Sequence, residues 1–171
     1  MSNFCSNIVT FEGDENQIRK IIEAYEKTLA IRKEIKGATI HFVLFDDSVV
    51  TDNYMSDFYL DLGFEMMQFE TKWGPDPTQL VRVAKMFSVS FVLEYEETAM
   101  SIYGEFRYDH IKDELSNRCC TNAECEEAEM REDTYDHLDK ILETKEWHRC
   151  TYDFSDGTYK VHDLLEPKEV A

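Results

Sequence analysis

The chain has 171 residues, of which 43% are hydrophobic and 13% aromatic, so it can bury a sizeable core and is not a disordered chain. It carries 36 acidic residues against 18 lysines and arginines, which gives a formal net charge of -18. A surface this negative repels nucleic acid and anionic membranes and favours basic partners, although acidity often serves solubility alone.

The start of the chain and its cysteines predict a cytoplasmic protein. Residues 1–9 lack the basic start and the apolar segment of a signal peptide. The most apolar short run, Phe42 to Phe45, is far too short to span a bilayer. The five cysteines are an odd number, which together with the missing signal peptide indicates free thiols in a reducing compartment.

The N-terminal part of the chain predicts a strand, a helix and a second strand. Residues 5–12 alternate as in a half-buried strand that Gly13 ends, and Asp14 followed by Gln17 resembles the capping box that opens a helix. Residues 39–45 are rich in strand-forming side chains. The residues predicted to share one face are Asn7, Val9 and Phe11 on the strand, and Ile18, Ile21, Ile22, Tyr25 and Leu29 on the helix.

Residues 49–62 predict either a short helix or a loop that covers one edge of the sheet. Apolar and aromatic side chains are interleaved there with aspartates, which indicates partial exposure. Exposed aromatic residues commonly anchor protein interfaces. Tyr54, Phe58 and Tyr59 are therefore candidate partner-binding residues.

The middle of the chain predicts a strand, a helix and an antiparallel hairpin. Residues 64–73 form the strand, and Asp76 and Pro77 suit the N-cap and the first position of the helix. Residues 91–108 alternate in two runs, and Gly104 inside the second run indicates a bulge or a close backbone contact, for example with a crossing helix. The residues predicted to face the core are Leu80, Val81, Ala84 and Phe87 on the helix, and Phe91, Leu93, Tyr95, Ile102, Phe106 and Tyr108 in the hairpin.

The composition changes after Asp109. Residues 124–146 are dominated by acids, with apolar residues at helical spacing, so they predict one long amphipathic helix with a very acidic outer face. A terminal hairpin is predicted within residues 150–162. The chain then divides into a core at 1–109 and an acidic helical extension with this hairpin at 110–171, packed on the core.

These elements predict an α+β fold. We expect a two-layer sandwich in which a mainly antiparallel sheet is covered on one face by helices near residues 15–30 and 77–87. The acidic C-terminal helical extension is added to this sandwich.

Three blocks of the sequence resemble the YubB ferredoxin-like family. They are the opening segment Asn7 to Asp14, the segment Phe69 to Pro77 with its Thr-x-Trp strand end and Pro-containing turn, and the strand pair Phe91 to Gly104. The resemblance is weakest at residues 40–62 and 110–171. It implies a ferredoxin-like core in a protein carried by a plasmid or a phage. The family has no established activity, so the resemblance implies no catalytic residues.

Catalytic and cofactor motifs are missing from the sequence. It has no P-loop, no G-x-G-x-x-G and no G-x-S-x-G elbow, and its five histidines are scattered. Acid pairs such as Glu94 with Glu96, or Asp46 with Asp47, do acid–base work only in a cleft with shifted pKa values, which a sequence does not show. We therefore predict a protein that is not an enzyme and has no catalytic residues, cofactor or metal.

The nearest approach to a metal site is a set of cysteines and one histidine in the C-terminal third. Adjacent cysteines fit poorly around one zinc ion and no second C-x2-C pair exists, so unligated thiols are the simpler interpretation. The alternative function is a small metal-dependent or cysteine-dependent enzyme built on this set, which comprises Cys119, Cys120, Cys125, His148 and Cys150.

The leading hypothesis is a non-catalytic acidic protein, encoded by a phage or plasmid, that binds a basic surface of a host protein. It would act by charge complementarity as a nucleic-acid mimic, inhibiting a defence nuclease of the CRISPR or restriction type. It would bind neither nucleic acid nor membrane directly. A second alternative is a structural subunit of a homo-oligomer. The carboxylates predicted to contact the partner are Glu126, Glu127, Glu129, Asp133 and Asp136.

Overall fold

A computed structural model describes most of the chain. The described residues are 4–34, 41–43, 49–51, 56–61, 66–72, 74–75, 77–97 and 101–160. Residues discussed above that lie outside this description are Phe45, Asp46, Asp47, Tyr54 and Asp76, and the side chains of Leu29, Phe58 and Tyr59 lie outside it too.

The described chain folds into eleven strands and four helices. The strands are β1 (Phe4–Glu12), β2 (His41–Val43), β3 (Val49–Thr51), β4 (Ser56–Asp61), β5 (Met66–Lys72), β6 (Ser90–Glu97), β7 (Ile102–Asp109), β8 (Glu114–Cys119), β9 (His148–Arg149), β10 (Thr151–Asp153) and β11 (Thr158–Lys160). The helices are α1 (Glu15–Glu34), α2 (Thr78–Phe87), α3 (Asn122–Glu129) and α4 (Thr134–Glu143).

One seven-stranded sheet organises the fold, in the order β4-β5-β1-β6-β7-β8-β9. Two further pairs, β2 with β3 and β10 with β11, form small separate sheets. Every strand pairing in the described ranges is antiparallel. The predicted α+β class with a mainly antiparallel sheet is therefore confirmed.

The face of the large sheet that α1 and α2 cover, here called the inner face, carries the main core. Alternate residues of β1, β5, β6 and β7 are buried on it, as their period of two predicts. The helices contribute apolar stripes that pack on these strands. The core residues with no or almost no exposed surface include Val9, Phe11, Ile18, Ile21, Met67, Phe69, Leu80, Val81, Phe91, Leu93 and Tyr108.

The helix starts follow local hydrogen bonding. The backbone N–H of Gln17 donates to the Asp14 side chain at 3.1 Å, which satisfies one free donor of the first turn of α1. The predicted cap at Asp14 is thus confirmed. Pro77 takes the N-cap position of α2 instead of the first helical position predicted for it, so the helix begins one residue later, at Thr78.

The described parts of residues 49–62 form strands, so the prediction of a short helix or a covering loop is wrong for them. They contain β3 and β4, and β4 pairs with β5 to become an edge strand of the large sheet. Aspartates disfavour strands, which is why the sequence pointed to a loop. The backbone hydrogen bonds that β5 supplies outweigh that preference.

The single long helix predicted for residues 124–146 is also wrong, because the segment forms α3 and α4 with a break between them. The Thr134 hydroxyl donates to the carbonyl oxygens of Ala128 at 3.1 Å and Arg131 at 2.8 Å. These bonds satisfy carbonyls at the end of α3 and turn the chain into α4. The two helices enclose a second small core of Cys120, Cys125, Ala128, Leu138 and Leu142.

The large sheet continues past residue 109, since β8 pairs with β7 and β9 pairs with β8. The predicted terminal hairpin is present as β10 and β11. Its neighbour Cys150 is buried in the main core, so this part of the chain packs against the N-terminal part. None of the described helices combines the length and the hydropathy needed to cross a bilayer.

Candidate functional site

Carboxylates and a tyrosine meet on the outer face of the sheet, the face that α1 and α2 leave uncovered. Glu94 and Glu96 alternate with the buried residues of β6, so both point to this face. The strand register places Glu94 opposite Glu105 and Glu96 opposite Tyr103 of β7. Residues that are opposite each other in paired strands lie on the same face, so four polar side chains come together.

Helix α4 packs over this part of the outer face and closes a pocket of about 250 Å³. It contributes Tyr135 and Asp139, while Glu94, Glu96 and Tyr103 line the sheet side. We call these five residues the acidic pocket. The helix is held there because Leu138 and Leu142 are buried in the small core, against which Tyr103 also packs.

A short hydrogen bond joins the two walls of the pocket. The Tyr103 hydroxyl donates to Asp139 at 2.6 Å. Burial, together with this bond to a carboxylate, raises the pKa of Tyr103 above its ordinary value, so the hydroxyl stays protonated at neutral pH. Tyr103 therefore acts as a fixed donor that orients the Asp139 carboxylate.

The pKa values of Glu94 and Glu96 are both raised above the ordinary value of a glutamate. Partial burial raises the pKa of Glu94, and the neighbouring charges of Glu105 and Asp139 raise it further. Partial burial also raises the pKa of Glu96. A cation beside Glu94 would offset the repulsion from Glu105 and Asp139.

Nearby cations are already engaged elsewhere. Arg118 forms an ion pair with Glu105, and the guanidinium groups of Arg118 and Arg107 lie 4.7 and 5.0 Å from the centre of the Trp147 ring. Within the described ranges, no lysine, arginine or histidine forms an ion pair with Glu94 or Glu96. In the part of the chain that the structure describes, the charges of Glu94 and Glu96 therefore have no ion-pair partner.

This arrangement suits a guanidinium or ammonium group. Carboxylates accept charge-assisted hydrogen bonds from such groups, and tyrosine rings stabilise them through cation–π contacts. No group of three or more potential ligands in the described ranges is arranged to hold a metal ion.

The carboxylates predicted to bind a partner lie around the same helix pair. Glu126, Glu127 and Glu129 are exposed on α3, and Asp136 is exposed on α4. Asp133 differs, because Arg131 donates to it at 2.8 Å and offsets its charge.

The aromatic residues predicted to bind a partner lie elsewhere. Phe58 and Tyr59 belong to β4, and three strands separate β4 from β7 in the sheet. Their strand is therefore not adjacent to β7, the strand against which α3 packs.

The cysteines do not form the single cluster on which the alternative enzyme hypothesis depends. Cys120 and Cys125 are buried in the small core, whereas Cys150 is buried in the main core and Cys119 is exposed. Burial raises the pKa of Cys120 to about 12 and that of Cys125 to about 11. Thiols with raised pKa values are protonated at neutral pH, which is the opposite of what a nucleophile or a metal ligand needs.

One family model matches the sequence. A family model described as the ferredoxin-like domain in Api92-like protein matches residues 51–138, just over half of the sequence. The chain belongs to this family. Searches of curated proteins and of solved structures found no significant match.

The ferredoxin-like domain shared with Api92-like proteins covers most of the site. The matched range runs from β3 into α4 and includes Glu94, Glu96, Tyr103 and Tyr135. Asp139 follows directly after it. The family match confirms the predicted ferredoxin-like fold, and it brings no activity with it.

Glu94→Gln should raise the melting temperature at neutral pH by about 1–2 °C, a small gain because the side chain is only partly buried. The folded-state pKa of Glu94 is raised, so its charge destabilises the folded protein above that pKa. Below 4.5, the ordinary value, the carboxyl is protonated in both states and the gain should disappear. Thermal unfolding at several pH values measures this.

Glu126→Gln is the matched control, since it removes the same charge from an exposed position of α3. A gain that is equal in both variants, or that persists at acidic pH, would show that Glu94 is not under local repulsion.

Proposed function

We propose that this protein is a non-catalytic acidic binding protein that captures an arginine or lysine side chain of a basic partner protein in the acidic pocket. The observation that carries the proposal is the unneutralised charge of Glu94 and Glu96 beside a tyrosine-held Asp139. Such a side chain would replace the repulsion between these carboxylates with charge-assisted hydrogen bonds. The pocket supplies the specificity of the contact.

The negative charge around the acidic pocket would raise the rate of association with a basic partner. A net charge of -18 attracts basic surfaces over a distance of about 10 Å at moderate salt. Exposed carboxylates on α3 and α4, including Glu126, Glu127 and Asp136, would contact neighbouring basic residues. We expect the partner to meet the carboxylates of α3 and α4 first, and one of its basic side chains then to enter the acidic pocket.

The partner that best fits this surface is a protein that binds nucleic acid. A protein surface that normally binds phosphates offers several arginines and lysines in a row, and acidic residues presented at intervals can occupy it as a nucleic-acid mimic. The resemblance to the YubB ferredoxin-like family, with its implied plasmid or phage origin, favours a host defence nuclease as that partner. Inhibition would follow from occupation of the nucleic-acid-binding surface.

The pocket is tested with two double variants of equal charge. Glu94→Gln with Glu96→Gln alters the pocket, and Glu126→Gln with Glu127→Gln alters the exposed face of α3. The probe is a short arginine–glycine peptide, with the citrulline version as the uncharged control, and fluorescence anisotropy measures binding. The pocket variant should lose about tenfold in affinity, which is about 1.4 kcal/mol, and the α3 variant much less.

Equal losses in both double variants would show that only the net charge matters and that the pocket has no special role. The partner class is tested separately by affinity capture from host cells at low and high salt. Wild-type protein should retain a basic nuclease at low salt, and the pocket variant should not. Capture of the same nuclease by both proteins, or no inhibition of its activity, would contradict the proposal.

A further inference from the structure

A second cavity, of about 510 Å³, lies between α2, the start of β8 and the hairpin of β10 and β11. We call it the basic cavity, and its defining residues are Arg82, Lys85, Arg149, Tyr152, Phe154 and Tyr159. Three cations line it beside the carboxylates of Asp113 and Glu114, in a chain that has only 18 lysines and arginines and a net charge of -18. The acidic pocket shares none of these residues.

The cations of this cavity are not equally neutralised. Lys85 is offset by Asp113, whose carboxylate lies 2.8 Å from the ammonium group. Arg149 has only a long contact of 3.4 Å with Glu114, and 71% of its side chain is exposed. Arg82 forms no ion pair with any carboxylate in the described ranges. The Arg82 guanidinium is therefore available to an anion, and the exposed Arg149 guanidinium is held only by its contact with Glu114.

The hairpin supplies aromatic rings at the same cavity. The ring of Tyr152 lies 5.0 Å from those of Phe154 and Tyr159, in edge-on contacts. Phe154 is 90% exposed, the largest exposure among the aromatic side chains described. The backbone N–H of Tyr159 donates to the Thr78 hydroxyl at 3.5 Å, which links the hairpin to the start of α2. An exposed ring that is held on a linked hairpin offers a flat surface for stacking.

We propose that the basic cavity binds a small anion that carries an aromatic ring, the chemistry that a nucleotide shares with an aryl phosphate. Its volume falls in the range of small-ligand sites. Guanidinium groups bind phosphate through paired hydrogen bonds, and aromatic side chains stack on planar rings. The cavity recognises the phosphate and the aromatic ring of the ligand together, so a ligand that has only one of these two groups binds weakly. This activity is independent of the acidic pocket.

Isothermal titration tests the proposal with adenosine monophosphate and phenyl phosphate as probes. Adenosine and inorganic phosphate are the reference compounds, since each lacks one of the two features. Arg82→Gln and Phe154→Ser should each weaken binding of adenosine monophosphate about tenfold. Both side chains are exposed, so neither change should prevent folding. The matched controls are Lys140→Gln and Met130→Ser, which alter exposed residues of the α3–α4 region and should leave binding unchanged.

Tighter binding of adenosine monophosphate than of phenyl phosphate would support the proposal and assign the nucleotide, whereas equal binding would support the aryl phosphate chemistry common to both. The proposal is overturned if neither probe binds at millimolar concentration, if inorganic phosphate binds as tightly as they do, or if the control variants lose as much as Arg82→Gln. The Glu94→Gln and Glu96→Gln double variant should retain this binding, which separates the result from the test of the acidic pocket.

Discussion

Phe91→Ala should lower the free energy of unfolding by about 4 kcal/mol, which is typical for loss of a fully buried aromatic side chain. Phe91 has no exposed surface and lies at the centre of the inner face of the sheet. Its ring stacks on Tyr108 at 5.7 Å and contacts Phe11 edge-on at 6.5 Å. Truncation would leave a cavity among rigid strands, which cannot collapse to fill it.

Chemical denaturation followed by circular dichroism measures this loss. Val92→Ala is the control, because the adjacent residue on β6 points to the outer face and is only half-buried. Its expected cost is about 1 kcal/mol. If the two variants were destabilised equally, the assignment of the inner face as the main core would be wrong.

The alternation of buried residues explains why much of this fold could be predicted from the sequence. In β1 and β6 every second residue is buried, because only one side of the sheet meets α1 and α2. The pattern was therefore present in the sequence and needed no knowledge of the partner strands. The cap at Asp14 was predictable for a similar reason, since it depends on neighbours in the chain alone.

The errors arose where distant contacts decide the structure. Strand β4 contains two aspartates, and its pairing with β5 stabilises it against its local preference. The apolar spacing between Ala128 and Leu138 fits one helix, but the Thr134 hydroxyl ends α3 by binding carbonyls of the preceding turn. A threonine within a helical pattern can equally point to solvent, so the pattern did not reveal the break.

The acidic pocket could not be found from the sequence for a different reason. Glu94 and Glu96 are two among 36 acidic residues, and Asp139 lies far from them along the chain. Their alternation with buried residues of β6 predicted that they share a face, yet which helix covers that face depends on the break between α3 and α4. The acidic pocket therefore depends on the break between α3 and α4, which the sequence does not reveal.

Gly104→Ala should lower the free energy of unfolding by about 3 kcal/mol, at the upper end of the usual cost of overpacking. A Cβ atom at Gly104 would lie 2.5 Å from the Tyr95 hydroxyl and 2.6 Å from the carbonyl oxygen of Arg118. The sequence predicts a bulge or a close backbone contact at Gly104, for example with a crossing helix. The close neighbours are β6 and β8 instead, so the backbone of a paired strand would have to move.

The clash with Tyr95 can be separated from the clashes with β8 by a double-mutant cycle with Tyr95→Phe, which removes the hydroxyl. That hydroxyl accepts a hydrogen bond from Asn117 at 2.9 Å, so Tyr95→Phe alone should cost about 1 kcal/mol. If the tyrosine clash contributes, Gly104→Ala should cost about 1 kcal/mol less in the Tyr95→Phe background than in the wild type. The remaining cost measures the clashes with β8, which are those with the Arg118 carbonyl and with the Cβ atom of Cys119 at 2.8 Å. Strict additivity would assign the whole effect to the backbone of β8, and a wild-type stability for Gly104→Ala would contradict the close packing of β6, β7 and β8.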